Sequence, residues 1–425
     1  MVSFERIFER YKHSFLFKDS FWSVFGNGVG NFLLLMAGVV IARFLGKDLY
    51  GEYGMVKTTM FYIAGFASFG LSYSSTKFIA ENLIEKPEKV NEIVISCLKI
   101  SFGFSLLLCL ILVLLSDEVA SFVNEPNLSL PFRYLGIIII TRSIANTLNG
   151  LLGGFKRYKE IGINSIISGG GLLLFGAIFT YFWGVIGSFA ALLFSQLILC
   201  ILNSIALYKE SKKYPKAKED CTLELISFSL PIAIQELFFV ICNWGVMLVL
   251  TKYASLGDVG IYSAASQWYA VVLFIPNLLS NVVLSYLSGE NRNKQQYSNL
   301  FKKLLLINIV CAIIPFIIVA FLSDFITSFY GPDFSELSDV LRILIAGTVF
   351  ACAAGVYQSD YIARNQNWLL AIIRFVRDTL ILVTLYFVLI NNSVNAAYKL
   401  AIINTVVYII YFLLLHFCDK FFRKA

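Results

Sequence analysis

Along almost the whole chain, runs of about twenty apolar residues alternate with short polar breaks. Twelve runs can be drawn, at 21–44, 52–75, 94–115, 130–155, 161–182, 185–207, 225–251, 260–287, 304–321, 338–362, 368–390 and 395–417. At about 1.5 Å per residue each is long enough to cross a hydrocarbon layer of about 30 Å. Backbone groups in lipid must be satisfied inside the segment, so these runs are predicted to be helices. A transmembrane barrel would show shorter segments of alternating polarity. The pattern therefore predicts an all-α polytopic membrane protein with twelve transmembrane helices.

The pattern also repeats. Ile41–Tyr53, IARFLGKDLYGEY, returns as Leu250–Tyr262, LTKYASLGDVGIY, with Arg43, Gly51 and Tyr53 matching Lys252, Gly260 and Tyr262 at an offset of 209 residues. The same offset carries Arg133 onto Arg342, Leu135 onto Leu344 and Ala145 onto Ala354. Ser116-Asp117 and Ser121-Phe122 match Ser323-Asp324 and Ser328-Phe329 at an offset of 207, and two extra residues restore the register. A register shared over a hundred residues predicts a direct duplication. It implies two six-helix lobes, 19–207 and 225–417, joined by the polar linker 208–224, with a short tail at 418–425. Six helices per lobe keep the second repeat in the orientation of the first.

Charge refines the picture. Of the 34 Lys and Arg, 23 fall in one set of alternating breaks and two, Lys47 and Lys252, in the other. By the positive-inside rule the rich side is cytoplasmic and both termini lie there. The net charge of +7 is thus a topology signal and not a nucleic-acid footprint. At 58% hydrophobic and 14% charged, the chain is far from a soluble globule, in which charged residues make up about a quarter. Residues 1–18 are not expected to be a cleavable leader, because Glu5, Glu9 and the scattered charges leave no apolar core. Phe4, Ile7, Phe8, Tyr11 and Phe15 lie on one helical face, which predicts a helix in the cytoplasmic interface.

Enzyme chemistry has little to stand on. There is no Walker loop, nucleophile elbow, metal-ligand cluster or long outer loop, and no cofactor is expected. Two distant histidines make a structural metal unpromising, and the eight cysteines lie in helices or on the cytoplasmic side, leaving no disulfide framework.

Polar residues within the runs are the candidate site. Arg142 lies about twelve residues from the outer end of its run, near mid-membrane by helical rise, with Asn146 and Asn149 following on one stripe. A cation there costs several kcal/mol and should face protein or water; an ion pair inside the bundle is the structural alternative. Asn27 and Asn31 fit helix packing or a substrate contact, and Lys57 could be a ligand or snorkel outward. Glu236, beyond Pro231, could carry a proton, balance an arginine or pair structurally. Arg374, Arg377 and Asp378 share a face, where an Arg374–Asp378 pair would partly neutralise the patch and Arg377 could snorkel. Lys99, Arg342 and Lys399 read as snorkelling residues at helix ends, and Asp360 as facing cytoplasmic water. Parallel repeats of this kind place a substrate cleft between lobes and work by alternating access. A cationic lining suggests an anionic head group, because Arg forks match phosphate oxygens.

The opening DSFWSVFGNGVGNFLLLMAGVVIARFLGKDLYGEYG resembles polysaccharide exporters of the multidrug/oligosaccharidyl-lipid/polysaccharide (MOP) superfamily, above all the O-antigen and capsule repeat-unit flippases. GLLGGFKRYK, LGDVGIYSAA and FYGPDFSELSDVLRIL extend the resemblance over nearly the whole chain. It implies a MATE-like fold of twelve helices in two lobes and no enzymatic activity. It also implies transfer of undecaprenyl-diphosphate-linked oligosaccharide from the cytoplasmic to the outer leaflet of the bacterial inner membrane, coupled to an ion. The glycan polymerase and chain-length machinery would be further partners, beside membrane lipids. Lys57, Arg142, Arg374 and Arg377 would meet the diphosphate or acidic sugars, with Asn146 and Asn149 beside them. Glu236 and Asp378 would serve ion coupling. A drug/cation antiporter of the same superfamily is expected to carry a buried acid in its first helix, where this chain has Asn27 and Asn31. A lipid II flippase usually carries more helices, and a glycan polymerase or ligase would need a large outer loop.

Overall fold

The computed structural model describes residues 15–215, 220–289, 294–364 and 366–424. Among these there are thirteen α-helices, three single 3-10 turns and no strand. In order they are α1 (Phe15–Ala67), α2 (Leu71–Glu85), α3 (Val90–Leu114), the short α4 (Ser116–Phe122), α5 (Ser129–Gly154) and α6 (Tyr158–Ser211). There follow α7 (Thr222–Tyr253), α8 (Leu256–Gly289), α9 (Lys294–Phe321), the short α10 (Ser323–Tyr330), α11 (Leu337–Ala363), α12 (Asn367–Asn391) and α13 (Ala396–Lys424). The interfacial helix expected over 1–18 falls mostly on residues 1–14, outside the described residues.

By length and composition, 8 of the described helices can cross a membrane. The protein is therefore a multi-pass membrane protein. α12 is not one of the eight; it carries Arg374, Arg377 and Asp378 within little more than one turn. α1 and α6 run for 53 and 54 residues, and each is interrupted at one glycine. Gly46 has φ 71° and Gly184 φ 58°, a region that L side chains rarely enter. Each glycine lies between two of the apolar runs drawn above. The run 52–75, by contrast, breaks at Ser68–Gly70, where Gly70 has φ 70° and a Cβ would sit 2.8 Å from Ile232 Cγ2.

The chain groups into two compact units, Met1–Phe44 with Val56–Val240, and Leu45–Met55 with Ile241–Ala425. The first unit thus includes the polar stretch 208–224 and the first half of α7, and the second includes a short piece of α1. In the first unit a core of Ile79, Val90, Ile93, Cys97, Leu148, Leu151 and Leu225 joins α2, α3, α5 and α7. The chain beyond α6 is tied to α3. The Asn91 amide donates to the carbonyls of Ser211, Tyr214 and Pro215 at 3.0, 3.0 and 2.6 Å. Asp220 accepts from Thr222 and from Ser96 Oγ, and Lys99 approaches it at 3.5 Å. Those hydrogen bonds, with Thr222 first and the lysine last, pull the Asp220 carboxyl down to about 2. This anchor therefore stays charged down to strongly acid pH.

The second unit packs Tyr297 and Phe301 of α9, Tyr357 and Tyr361 of α11, and Tyr411 and Leu415 of α13 into one core. Its α1 piece crosses the start of α8 through glycines. A Cβ on Gly51 would overlap the Leu256 carbonyl, and one on Gly260 would overlap the Lys47 carbonyl and lie 3.1 Å from Gly51 N. The contact is reciprocal, since Gly51 and Gly260, and Lys47 and Leu256, are pairs at the offset of 209 residues.

Matched positions also adopt matched contacts inside each unit. Arg133 Nε donates to Ser116 Oγ at 3.1 Å and its Nη2 to Asp117 Oδ2 at 2.7 Å. Arg342 makes the same two bonds to Ser323 and Asp324, both at 2.7 Å, and adds Asp339 at 3.3 Å. Arg342 therefore also clamps the short α10. The Ser129 and Arg133 hydrogen bonds, that of Ser129 being the larger influence, lower the Asp117 carboxyl below its ordinary value. At the other end of the helices, Arg157 pairs with Glu210 and with Glu160 at 3.5 Å. Arg364 likewise pairs with Asp419 at 2.6 Å and with Asp360. Asp360 is fully buried and accepts from Tyr297 Oη. Its expected place in cytoplasmic water is thus corrected: α9, α11 and α13 close over it, and the desolvation is offset by Arg364 and the tyrosine.

Candidate functional site

The sequence candidates divide between the two units. Lys57, Arg142, Asn146, Asn149 and Glu236 belong to the first, and Arg374, Arg377 and Asp378 to the second.

Arg142 is the fourteenth residue of the 26-residue α5, about 20 Å along it. Its Nη1 donates to Gln196 Oε1 at 3.1 Å, and its guanidinium carbon lies 5.0 Å from the Phe61 ring centroid. Among the described residues Arg142 forms no ion pair. The carboxylate expected of a structural arginine is replaced by an amide and a ring. Phe61 stands one turn beyond Lys57 on α1, so α1 presents a lysine and an aromatic on the side where the guanidinium lies. Asn146 and Asn149 continue the α5 stripe. Asn203 Nδ2 donates to Asn149 Oδ1 at 2.9 Å, and Asn164 Nδ2 to Asn203 Oδ1 at 2.8 Å. Asn146 receives Ser72 Oγ on its backbone carbonyl at 3.1 Å. Arg142–Gln196 and Asn149–Asn203 lie seven residues apart on both partners, the spacing of one heptad along a helix seam. One polar seam between α5 and the second half of α6 thus holds both, with Asn149 tied into it and Arg142 at its end.

Glu236 is half-buried on α7. It lies one turn before Phe239, whose ring meets Tyr62 edge-on at 5.8 Å. Asn27 accepts from Ser165 Oγ at 3.2 Å, in a region where Gly26 and Gly30 press against α6.

In the second unit, Arg377 is the eleventh residue of the 25-residue α12, about 15 Å along it. Its Nε and Nη2 both reach Asp378 Oδ1, at 2.8 and 2.7 Å, and both side chains are only 10% exposed. The guanidinium also lies over Tyr408 and Tyr411 of α13, at 5.2 and 4.8 Å. Arg374 is exposed and donates to Gln358 of α11. The expected Arg374–Asp378 pair is therefore corrected. Arg377, lying over the tyrosines of α13, takes Asp378, while Arg374 turns to Gln358. Beside this cluster, Asn404 Nδ2 donates to Tyr262 Oη at 3.3 Å.

Sequence reasoning missed Phe61, Gln196, Asn203, Tyr408 and Tyr411. The polar pair Gln196 and Asn203 in the apolar run 185–207 carried a usable signal, because it repeats the seven-residue spacing of Arg142 and Asn149. The aromatics carried none, being common throughout the spans.

The fold is shared with solved transporters. An inward-facing multidrug resistance MATE-family transporter of the MOP superfamily superposes with a TM-score of 0.79 at 14% identity, over 93% of this chain and 96% of that one. The lipid II flippase MurJ, in an inward closed conformation, superposes with a TM-score of 0.71 at 18% identity, over 92% and 86%. Apolar helices with charges at mid-span make this a multi-pass membrane protein, with the fold seen in those transporters. The chain belongs to the family of polysaccharide biosynthesis proteins, which matches residues 16–289. A protein named as an O-antigen transporter in Shigella flexneri is 22% identical over 387 residues, 88% of this chain and 90% of that one.

Proposed function

We propose that this protein is a flippase that moves undecaprenyl-diphosphate-linked oligosaccharide repeat units from the cytoplasmic to the outer leaflet of a bacterial inner membrane. Both termini would be cytoplasmic, as the 23-to-2 distribution of Lys and Arg suggests. Twelve spans related by direct duplication, working by alternating access, are part of the same reading. The recurrence of the arginine clamps at the repeat offset supports it.

The observation that carries the proposal is Arg142. A mid-helix guanidinium whose described partners are all neutral keeps its charge for a visiting anion, and an Arg fork suits phosphate or carboxylate oxygens. Lys57 on the neighbouring α1 face adds a second cation, and Asn146 an amide. Arg374 would make a secondary basic contact in the second unit, where Arg377 is held by Asp378, and Asn149 would support the seam. Glu236 and Asp378 are the proposed ion-coupling residues. A glycan polymerase and chain-length machinery would use the product.

The test is Arg142→Ala at matched expression in a host lacking the gene. Loss of surface polymer with lipid-linked repeat units held on the cytoplasmic side is expected, with transport reduced roughly 10- to 100-fold if a charge-assisted contact of about 1.5–3 kcal/mol is lost. Normal polymer removes Arg142 from the site. A deletion that leaves surface glycan intact but raises sensitivity to cationic drugs replaces the flippase with an antiporter.

A further inference from the structure

A guanidinium at mid-span needs something to stabilise its charge, and what does so decides what the group can still bind. A carboxylate would hold it strongly but would occupy its N–H edge. Arg142 has five N–H donors, and among the described residues one of them is used, by Gln196. Its other described neighbour is the Phe61 ring, 5.0 Å away. The negative face of an aromatic ring attracts the cation without accepting an in-plane hydrogen bond. Phe61 remains 42% exposed, so it is not sealed into the core like the fully buried Met60 beside it.

We infer that Phe61 is a positioning residue for transport: its ring holds the Arg142 guanidinium charged and in place, with the N–H edge open to a phosphate or carboxylate oxyanion. The assignment rests on the anion-site reading of Arg142. The ring takes the place of a counter-ion and leaves the fork unfilled. Gln196 fixes one corner of the guanidinium, which sets its rotation over the ring. The oxyanion could be a prenyl-linked diphosphate or an acidic sugar, and two probes distinguish them.

Binding of farnesyl diphosphate and of trigalacturonate is measured on the purified full chain in detergent, with thermal unfolding as a folding check. Phe61→Leu, which keeps apolar volume but removes the ring, should weaken binding of one probe roughly 5- to 20-fold, from the strength of a desolvated cation–π contact. Phe61→Tyr and Phe61→Trp should keep binding within about threefold, since they keep the ring face. In an Arg142→Ala background, Phe61→Leu should add nothing, because a residue acting through Arg142 has no effect once it is gone. The probe that shows the dependence identifies the source of the oxyanion.

If Arg142→Ala weakens binding while Phe61→Leu binds as the unmutated protein does, the inference about Phe61 falls and the anion site stands. Equal losses from Phe61→Leu with and without Arg142, or from Tyr and Leu alike, reduce Phe61 to packing and overturn it too. If Arg142→Ala binds both probes normally, the anion-site reading itself falls.

Discussion

Arg142 and Arg377 are both arginines near the middle of long helices, and the protein treats them oppositely. Arg377 is neutralised: Asp378 takes two of its N–H groups, Tyr408 and Tyr411 flank it, and its side chain is 10% exposed. Arg142 has an amide and a phenyl ring. Both stand near the middle of their helices, so the position along the helix does not by itself decide the role. The partner does. A paired guanidinium has little attraction left for a substrate, and its removal strands a carboxylate in a dry place. An arginine stabilised by neutral groups costs the bundle more to hold but keeps its charge for use.

The largest effect that would sharpen this contrast is on stability. Arg377→Ala should destabilise the protein by about 3–5 kcal/mol, because Asp378 is left buried and unpaired. Replacing both residues by Met and Leu should recover most of the loss. Thermal or denaturant unfolding in detergent reads both, and Arg142→Ala in the same assay should change stability far less. If Arg142→Ala is the more damaging of the two, the contrast is wrong.

Gln196→Glu should turn the first arginine into the second kind. A carboxylate facing Arg142 would fill its fork, and anion binding at neutral pH should fall roughly 10- to 100-fold while folding is kept. Unchanged binding would mean that the Arg142 N–H edge is not what the anion meets. A smaller effect belongs to the seam that supports Arg142. Asn203→Ala leaves both Asn149 and Asn164 without their amide partner, at a cost of about 1–3 kcal/mol in unfolding free energy, with a secondary loss of transport. The smallest concerns Tyr411. Tyr411→Phe keeps the ring over Arg377 and should shift stability by no more than about 0.5 kcal/mol, whereas Tyr411→Leu should cost about 1–2 kcal/mol. Equal effects of Phe and Leu would show that the ring face does not hold Arg377.

Much of the helical layout was legible beforehand. Apolar run length reports directly on helices that must satisfy their own backbone in lipid, and the breaks at Gly46 and Gly184 fall between the predicted runs. The offset of 209 residues anticipated contacts as well as motifs: Arg133 and Arg342, written far apart in the chain, make the same bonds to the same residue types. The same reading misjudged Asp360 as solvated. Nearness to a helix end says where the backbone is and not what closes over the side chain. The Arg374–Asp378 expectation failed for a related reason. Spacing of i to i+4 makes a pair feasible on an isolated helix, but Arg377, lying over two tyrosines of α13, takes the acid.

By itself, then, the sequence determined that this is an all-helical membrane protein, where most of its helices run and which polar residues lie within them. These are properties of local composition and period, and lipid enforces them residue by residue. Only the tertiary structure decided which of those buried charges is spent and which is kept. That choice depends on what a neighbouring helix places within about 3–5 Å: Asp378 and two tyrosines in one case, Phe61 and Gln196 in the other. Phe61 and Gln196 lie 81 and 54 residues from Arg142 in the chain. No period in the sequence records that encounter, because packing brings together groups whose separation along the chain is arbitrary.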